Sequence, residues 1–233
     1  MTKTTLITGA NKGLGRETAR RLLAEGHEVW LAARDTSLGQ AAADELGARF
    51  VQLDVTDEDS VTAAAALVAA ATGGRLDVLI NNAGIAGGRK SAGEVTADDV
   101  RSVFETNVFG VVRVTRAFLP LLERSDGPVI VNVSSGMGSI GVTTDPGRFE
   151  STLIGIAYPA SKTAVNMVTT QYAKAFPQIR INTVDPGYTA TDLNGHNGTQ
   201  SVEEGTDAIV AMAQLDASGP TGTFVDRNGA VAW

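Results

Sequence analysis

Thr4-Thr5-Leu6-Ile7-Thr8-Gly9-Ala10-Asn11-Lys12-Gly13-Leu14-Gly15 is the stretch whose reading decides the fold. Five β-prone residues run into a turn holding three glycines, and a helical pattern starts at about Gly13. Such a strand–turn–helix step brings backbone N–H groups and the positive end of a helix dipole to one point. Glycine is required where the chain turns tightly and where a pyrophosphate must approach the backbone. The spacing over Gly9, Gly13 and Gly15 is G-x-x-x-G-x-G, not the commoner G-x-G-x-x-G. The loop, with Asn11, Lys12 and Leu14 inside it, is read as a dinucleotide site. The competing reading is a glycine-rich turn with no ligand.

The same alternation continues along the chain. Strands are expected at Thr4–Thr8, Glu28–Ala33, Arg49–Leu53, Val78–Asn81, Val129–Val133, Ile179–Val184 and Gly222–Val225. Helices are expected from about Gly13 to Glu25, Ser37 to Leu46, Thr56 to Ala71, Ala97 to Leu122, Tyr158 to Ala175 and Ser201 to Ala213. Thr56 with Asp59, and Ser201 with Glu204, have the spacing of capping boxes. Short apolar strands between helices give an α/β fold, a doubly wound, mostly parallel sheet of the Rossmann type. No linker or repeat divides it, so residues 1–233 form one domain. Loops at about 85–95, 136–157 and 188–200 are the expected substrate loops.

Composition closes several alternatives. With 43% hydrophobic residues the chain can build a sizeable core. A net charge of −7 without a basic stripe argues against nucleic acid or an anionic membrane as partner. There is no cysteine, and His27 and His196 are the only histidines, so no metal site is expected. The first strand begins too early to leave room for a signal peptide, and no stretch approaches membrane-spanning length. A cytoplasmic location follows as the expectation.

The strand ends carry the remaining candidates. Ligands in open α/β sheets sit at the carboxyl ends of strands. The second strand ends Ala32-Ala33-Arg34-Asp35. An arginine there suits an adenosine 2′-phosphate, whereas an acidic residue would bind the ribose hydroxyls. With Lys12 nearby in sequence order, Arg34 points to NADP; the alternative leaves Asp35 on the ribose and both cations in solvent. Asp54-Val55 ends the third strand, where the Asp either accepts from an adenine amine or merely flanks a helix. Asn82-Ala83-Gly84 follows the fourth strand with small residues that admit a cofactor. Ser134-Ser135 ends the fifth, where a hydroxyl either donates to a carbonyl oxygen or caps its own backbone.

Tyr158 and Lys162 stand four apart at a helix start, on one face. An ammonium one turn from a phenol favours the phenolate, so the tyrosine pKa is expected to fall towards neutrality. Such a tyrosine exchanges a proton with a substrate oxygen.

Taken together, Thr8-Gly9-x-x-x-Gly13-x-Gly15, Asn81-Asn82-Ala83-Gly84, Asn107, Ser135, Tyr158-x-x-x-Lys162 and Pro186-Gly187 resemble, in order and over nearly the whole chain, the short-chain dehydrogenase/reductase family. Asn11-Lys12-Gly13, Ala33-Arg34-Asp35 and the segment from Asp192 to Trp233 look like its carbonyl reductase branch. The resemblance implies Tyr158 as general acid/base and Lys162 as the residue that lowers its pKa and holds the nicotinamide ribose. It implies Ser135 as the carbonyl-orienting hydroxyl and Asn107 as the holder of a relay water. It implies Thr189, after Pro186-Gly187, as a carboxamide contact. Ser135 and Tyr158 are 23 residues apart, longer than is common in the family, and the extra length resembles a short form of the carbonyl reductase insertion.

The expected activity is NADPH-dependent reduction of a ketone or aldehyde, with alcohol oxidation as its reverse. The alternative is a non-catalytic NADP-binding sensor on the same fold. Ile140, Val142, Phe149, Leu153, Ile154 and Ile156 make the insertion apolar. It either lids the pocket or folds back over the outer faces of the two long helices. The second arrangement would block self-pairing, and a monomer of about 24 kDa is expected.

Overall fold

The computed structural model describes residues 2–88 and 90–233; Arg89, inside the first expected substrate loop, lies outside the described residues. Strands β1 (Thr4–Thr8), β2 (Glu28–Ala33), β3 (Arg49–Gln52), β4 (Val78–Asn81), β5 (Val129–Val133), β6 (Arg180–Val184), β7 (Phe224–Asp226) and β8 (Gly229–Ala230) form one sheet. The order is β3-β2-β1-β4-β5-β6-β7-β8. Neighbours are parallel up to β7, and β8 closes the edge as a short antiparallel strand that its Gly-containing sequence did not announce.

The sheet is apolar on both faces because alternate residues of each strand point opposite ways. Leu6, Leu79, Ile130 and Ile181 join one core with Val61 and Val68 of α3 (Glu58–Thr72) and Phe118 of α5 (Gly110–Leu122). Ile7, Ile80 and Val131 join the other with Leu22 of α1 (Gly13–Ala24), Ala43 of α2 (Thr36–Leu46) and Ile209 of α9 (Asp207–Ala213). Two helical layers on one sheet make a single α/β domain. The strand order reverses between β1 and β4, so their carboxyl ends open a crevice.

The structure corrects three local expectations. The cap of α3 is Asp57, not Thr56: Asp57 accepts from the N–H of Asp59 and Ser60, while the Thr56 hydroxyl donates to Asp54. The long helix is not continuous. It runs as α4 (Ala97–Phe104), a π turn (Glu105–Phe109) and α5. A side chain on Gly110 would meet Val55 Cβ at 3.0 Å, so α5 starts hard against the β3 end, and the π turn absorbs the register change. The Ser201 capping box is present, with mutual bonds of 3.1 and 2.9 Å to Glu204. Its helix nonetheless breaks at Thr206 into α8 (Val202–Gly205) and α9.

Residues 136–157 fold into short turns around α6 (Ile140–Thr143) before α7 (Ala157–Ala175). Leu153, Ile154 and Ile156 line the cleft, and Phe149 packs on Tyr188 at 5.4 Å. Only Val142 of the six apolar side chains is buried. Phe109 and Val112 on the α4–α5 helix and Met167 on α7 remain exposed. The end of the segment lines the cleft, and these helix positions are left uncovered.

Candidate active site

The crevice holds a cleft of about 700 Å³ lined by Leu14, Ser135, Met137, Leu153, Ile156, Tyr158, Pro186, Tyr188, Thr189 and Leu193. Its cradle side is built from β1 and β4. Gly9 has φ +63°, and a Cβ on it would lie 2.9 Å from Ala83 Cα. A Cβ on Gly15 would lie 2.5 Å from Asn82 Nδ2 and 2.8 Å from Ala10 Cα. Asn82 spends its amide on the carbonyls of Thr8 (2.9 Å) and Gly9 (3.2 Å), and the Thr8 hydroxyl accepts from the N–H of Asn82 and Ala83. The Asn82 amide nitrogen therefore shapes the turn. The N-cap of α1 is Lys12, whose side chain caps nothing, and no acidic residue stands in the first turn. Its orphan N–H groups, beside Asn11 and Leu14, suit a pyrophosphate.

The Ala10 N–H donates to the Ala32 carbonyl at 3.0 Å, so Lys12 and Arg34 both lie two residues beyond a paired position on adjacent strand ends. Asp35 is occupied: its carboxylate caps α2 by accepting from the Leu38 N–H at 2.9 Å. Arg34 is exposed and has no carboxylate partner among the described residues. Asp54 commits Oδ1 to the N–H and hydroxyl of Thr56, leaving Oδ2 for an adenine amine, above a buried Val55. The donor set fits a 2′-phosphorylated dinucleotide.

Beyond the cradle the reacting side chains converge. A Cβ on Gly84 would lie in ordinary contact, 3.4 Å from Asn107 Oδ1 and 3.6 Å from Lys162 Nζ, so this loop runs directly beside both groups. Lys162 is buried and donates to the Val133 carbonyl at 2.7 Å; its Nζ lies 5.7 Å from the centre of the Tyr158 ring. Burial pushes its ammonium down to about 8. Tyr158 is pushed up to about 12, chiefly by burial, with Asp185 adding to it and a hydrogen bond from Ser135 opposing it. This overturns the expectation that Lys162 draws the tyrosine towards neutrality. The i,i+4 spacing brings the pair together, but the ammonium turns towards Val133 and both groups lose solvation. The Tyr158 ring is half-buried and lines the cleft.

Ser135 accepts from the Met137 N–H at 3.2 Å, capping the next turn, and its hydroxyl hydrogen-bonds with Tyr158. Ser134, the other candidate of the pair, is buried and donates to the Lys162 carbonyl at 3.3 Å, away from the cleft. Asn107 lies in the π turn with its side chain fully engaged: Oδ1 accepts from the Ile85 N–H (2.9 Å), and Nδ2 donates to the Ile85 carbonyl (2.9 Å) and Ser161 Oγ (3.0 Å). Thr189, buried after Pro186 and Gly187 (φ +71°), donates to the Pro186 carbonyl at 2.9 Å, so it offers a ligand a lone pair. Ser161 was not singled out in the sequence. It donates to the Tyr158 carbonyl at 2.7 Å and accepts from Asn107, tying the π turn to the start of α7. Its place three after Tyr158 was the available signal.

Residues 3–201 match the family model described as short chain dehydrogenase. The (+)-neomenthol dehydrogenase of Arabidopsis thaliana is 33% identical over 282 positions, covering 95% of each chain. Those 282 positions exceed the 233 residues here by 49, so that relative carries at least that many with no counterpart in this chain. The short-chain dehydrogenase anuI of Penicillium roqueforti is 40% identical over 222 residues, covering 89% of this chain and 87% of its own. Among solved structures, NADPH-bound carbonyl reductase from chicken fatty liver superposes with a TM-score of 0.87 at 28% identity, covering 100% of this chain and 99% of that one.

Proposed function

This chain belongs to the short-chain dehydrogenase family, and on that premise we propose that it is an NADPH-dependent reductase of ketone or aldehyde carbonyls. The observation that carries the proposal is the meeting of Ser135, Tyr158 and Lys162 at one end of the cleft whose other end is the glycine cradle. A non-catalytic sensor would not require a phenol and a hydroxyl paired with each other at the wall of an apolar pocket.

Gly9, Gly13, Gly15 and the first turn of α1 would hold the pyrophosphate, Arg34 and Lys12 the 2′-phosphate, and Asp54 the adenine. Gly84, Lys162, Pro186, Gly187 and Thr189 would hold the nicotinamide end. When bound, the reduced nicotinamide supplies a hydride to the carbonyl carbon. Ser135 donates a hydrogen bond to the carbonyl oxygen as charge develops on it. Tyr158, a phenol at neutral pH, gives that oxygen its proton. The Lys162 ammonium stabilises the phenolate left behind. With a pKa near 8 it also exchanges protons readily around neutrality. The side chain of Asn107 is committed, so a relay water would be held by the main chain of the π turn, where the helical bond pattern is shifted.

The cleft wall favours a neutral, apolar substrate. Met137, Leu153, Ile154, Ile156, Tyr188 and Leu193 supply it, and Lys90 at the rim is paired with Asp99 at 2.7 Å. The relatives named for terpenoid and carbonyl substrates point the same way. Screening purified protein with NADPH and a panel of cyclic and open-chain ketones tests the reading; NADPH loss on none of them would overturn it. No helix among the described residues is long and apolar enough to cross a membrane. A cytoplasmic location and a monomeric state complete the proposal. The monomer now rests on the carbonyl reductase resemblance alone, since the insertion leaves the helix positions uncovered.

A further inference from the structure

Lys12, which the NADP reading places on the 2′-phosphate, already has a partner. Its Nζ lies 2.6 Å from Asp192 Oδ2. The other oxygen of that carboxylate, Oδ1, lies 2.8 Å from His196 Nε2, which must donate because a carboxylate only accepts. Asp192 and His196 both belong to the loop at 188–200 that walls the substrate side, so the bridge joins a cofactor loop to a substrate loop. The two loops adjoin elsewhere too: a Cβ on Gly13 would lie 3.8 Å from the Thr191 methyl. His196 has φ +62° and is the one non-glycine residue with positive φ among the described residues. Its N–H bond to the Thr191 carbonyl (2.9 Å) and its contact with Asp192 hold that conformation against the cost of a left-handed β-carbon.

We propose that Asp192 is a specificity-determining residue that competes with the adenosine 2′-phosphate for Lys12. NADP(H) draws Lys12 away and frees the loop at 188–200 from the cofactor loop; NAD(H) leaves the bridge closed. Electrostatics sets the direction. A 2′-phosphate carries more charge than a carboxylate and has Arg34 at the adjacent strand end as a second cation. The ammonium has three donors, but two anions brought together on it repel each other, so the 2′-phosphate weakens the bond to Asp192. Asp192 keeps His196 as its remaining partner, so releasing Lys12 does not strand a carboxylate. The bridge is exposed, with side chains 65% and 56% accessible, so it is weak enough to yield. The inference rests on the NADP reading of Arg34 and Lys12.

The test is a binding cycle on the whole chain. Dissociation constants for NADPH and NADH are measured by fluorescence titration for the native protein, Asp192→Asn, Lys12→Met and the double variant. Removing the competitor should tighten NADPH by about two- to fivefold, the range of an exposed ion pair, and leave NADH unchanged. In the Lys12→Met background the Asp192→Asn change should have no effect on NADPH. Hydrogen exchange supplies a readout independent of affinity: NADPH should speed exchange of the amides at 191–197 relative to NADH. Equal tightening with and without Lys12 would mean that Asp192 acts only as a general negative charge, and no tightening would mean that the bridge is merely structural; either overturns the inference. Native protein that binds NADH more tightly than NADPH would overturn the NADP reading itself, and the inference with it.

Discussion

Lys162→Met should separate activity from stability, and pH should reveal why. The Lys162 ammonium is almost wholly buried, and burial holds it at about 8 against an ordinary 10.5. At ~1.4 kcal/mol per pH unit, that gap costs the native state about 3 kcal/mol whenever the lysine is charged in both states. The sign follows from proton counting. Below pH 8 both states carry the proton and the whole cost is present. Between about pH 8 and about pH 10.5 the native state releases its proton first, the unfolded chain binds more, and stability rises with pH. Methionine has no such transition. The native-minus-variant difference in unfolding free energy should therefore climb by about 3 kcal/mol across that window, with a slope no steeper than ~1.4 kcal/mol per pH unit. Urea unfolding followed by fluorescence of the buried Trp30, in steps from about pH 7 to about pH 10, measures it. The variant should fold at neutral pH, bind NADPH weakly and turn over no carbonyl. A flat or falling difference curve would refute the buried-ammonium account of the site.

Three further outcomes are expected. Tyr158→Phe should retain NADPH binding and lose turnover by about 10²–10⁴, since it removes the proton donor and keeps the ring; near-native rates on every accepted ketone would contradict its role. Arg34→Asp should move the ratio of kcat/KM for NADPH over NADH towards NADH, because a carboxylate repels the 2′-phosphate where a guanidinium attracts it; steady-state kinetics with both cofactors checks it. Light scattering coupled to size exclusion should give one species of about 24 kDa, and a concentration-independent tetramer would remove the monomer from the proposal.

The sheet and its ligand edge were legible because they rest on local chemistry. Short, nearly continuous apolar runs fix the strands, and glycines that tolerate φ of +63° and +55° at Gly9 and Gly13 fix the cradle. The π turn was not legible. Glu-Thr-Asn-Val-Phe is acceptable in an ordinary helix, and the shift comes from contacts distant in sequence: Gly110 against Val55, and Asn107 clamped to Ile85 and Ser161. The cap of α3 was misread because Thr56 and Asp57 are both competent caps; Asp54 takes the threonine hydroxyl and leaves the role to the aspartate. The tyrosine pKa failed for a related reason. Spacing reports that two side chains share a face, whereas the titration depends on where the ammonium points and how much water each group has lost.

The chemistry of the cleft follows from which polar groups the scaffold has already used. Asn82 is spent on the Thr8 and Gly9 carbonyls, Asn107 on Ile85 and Ser161, Ser134 on the Lys162 carbonyl, Thr189 on Pro186, and Asp35 on the cap of α2. Asn82, Ser134 and Asp35 are groups that strand-end position nominates for ligand contact, Asn107 and Thr189 ones that the family resemblance nominates, and in each the bond named here fixes a turn or a helix. Among the site residues singled out, Ser135 and Tyr158 line the cleft with hydroxyls bonded to each other, while Lys162 carries a charge that burial makes costly to hold. At neutral pH the phenol is protonated, the form that carbonyl reduction uses, and the same burial that keeps it so makes it a weak acid, so giving up the proton depends on stabilisation of the phenolate.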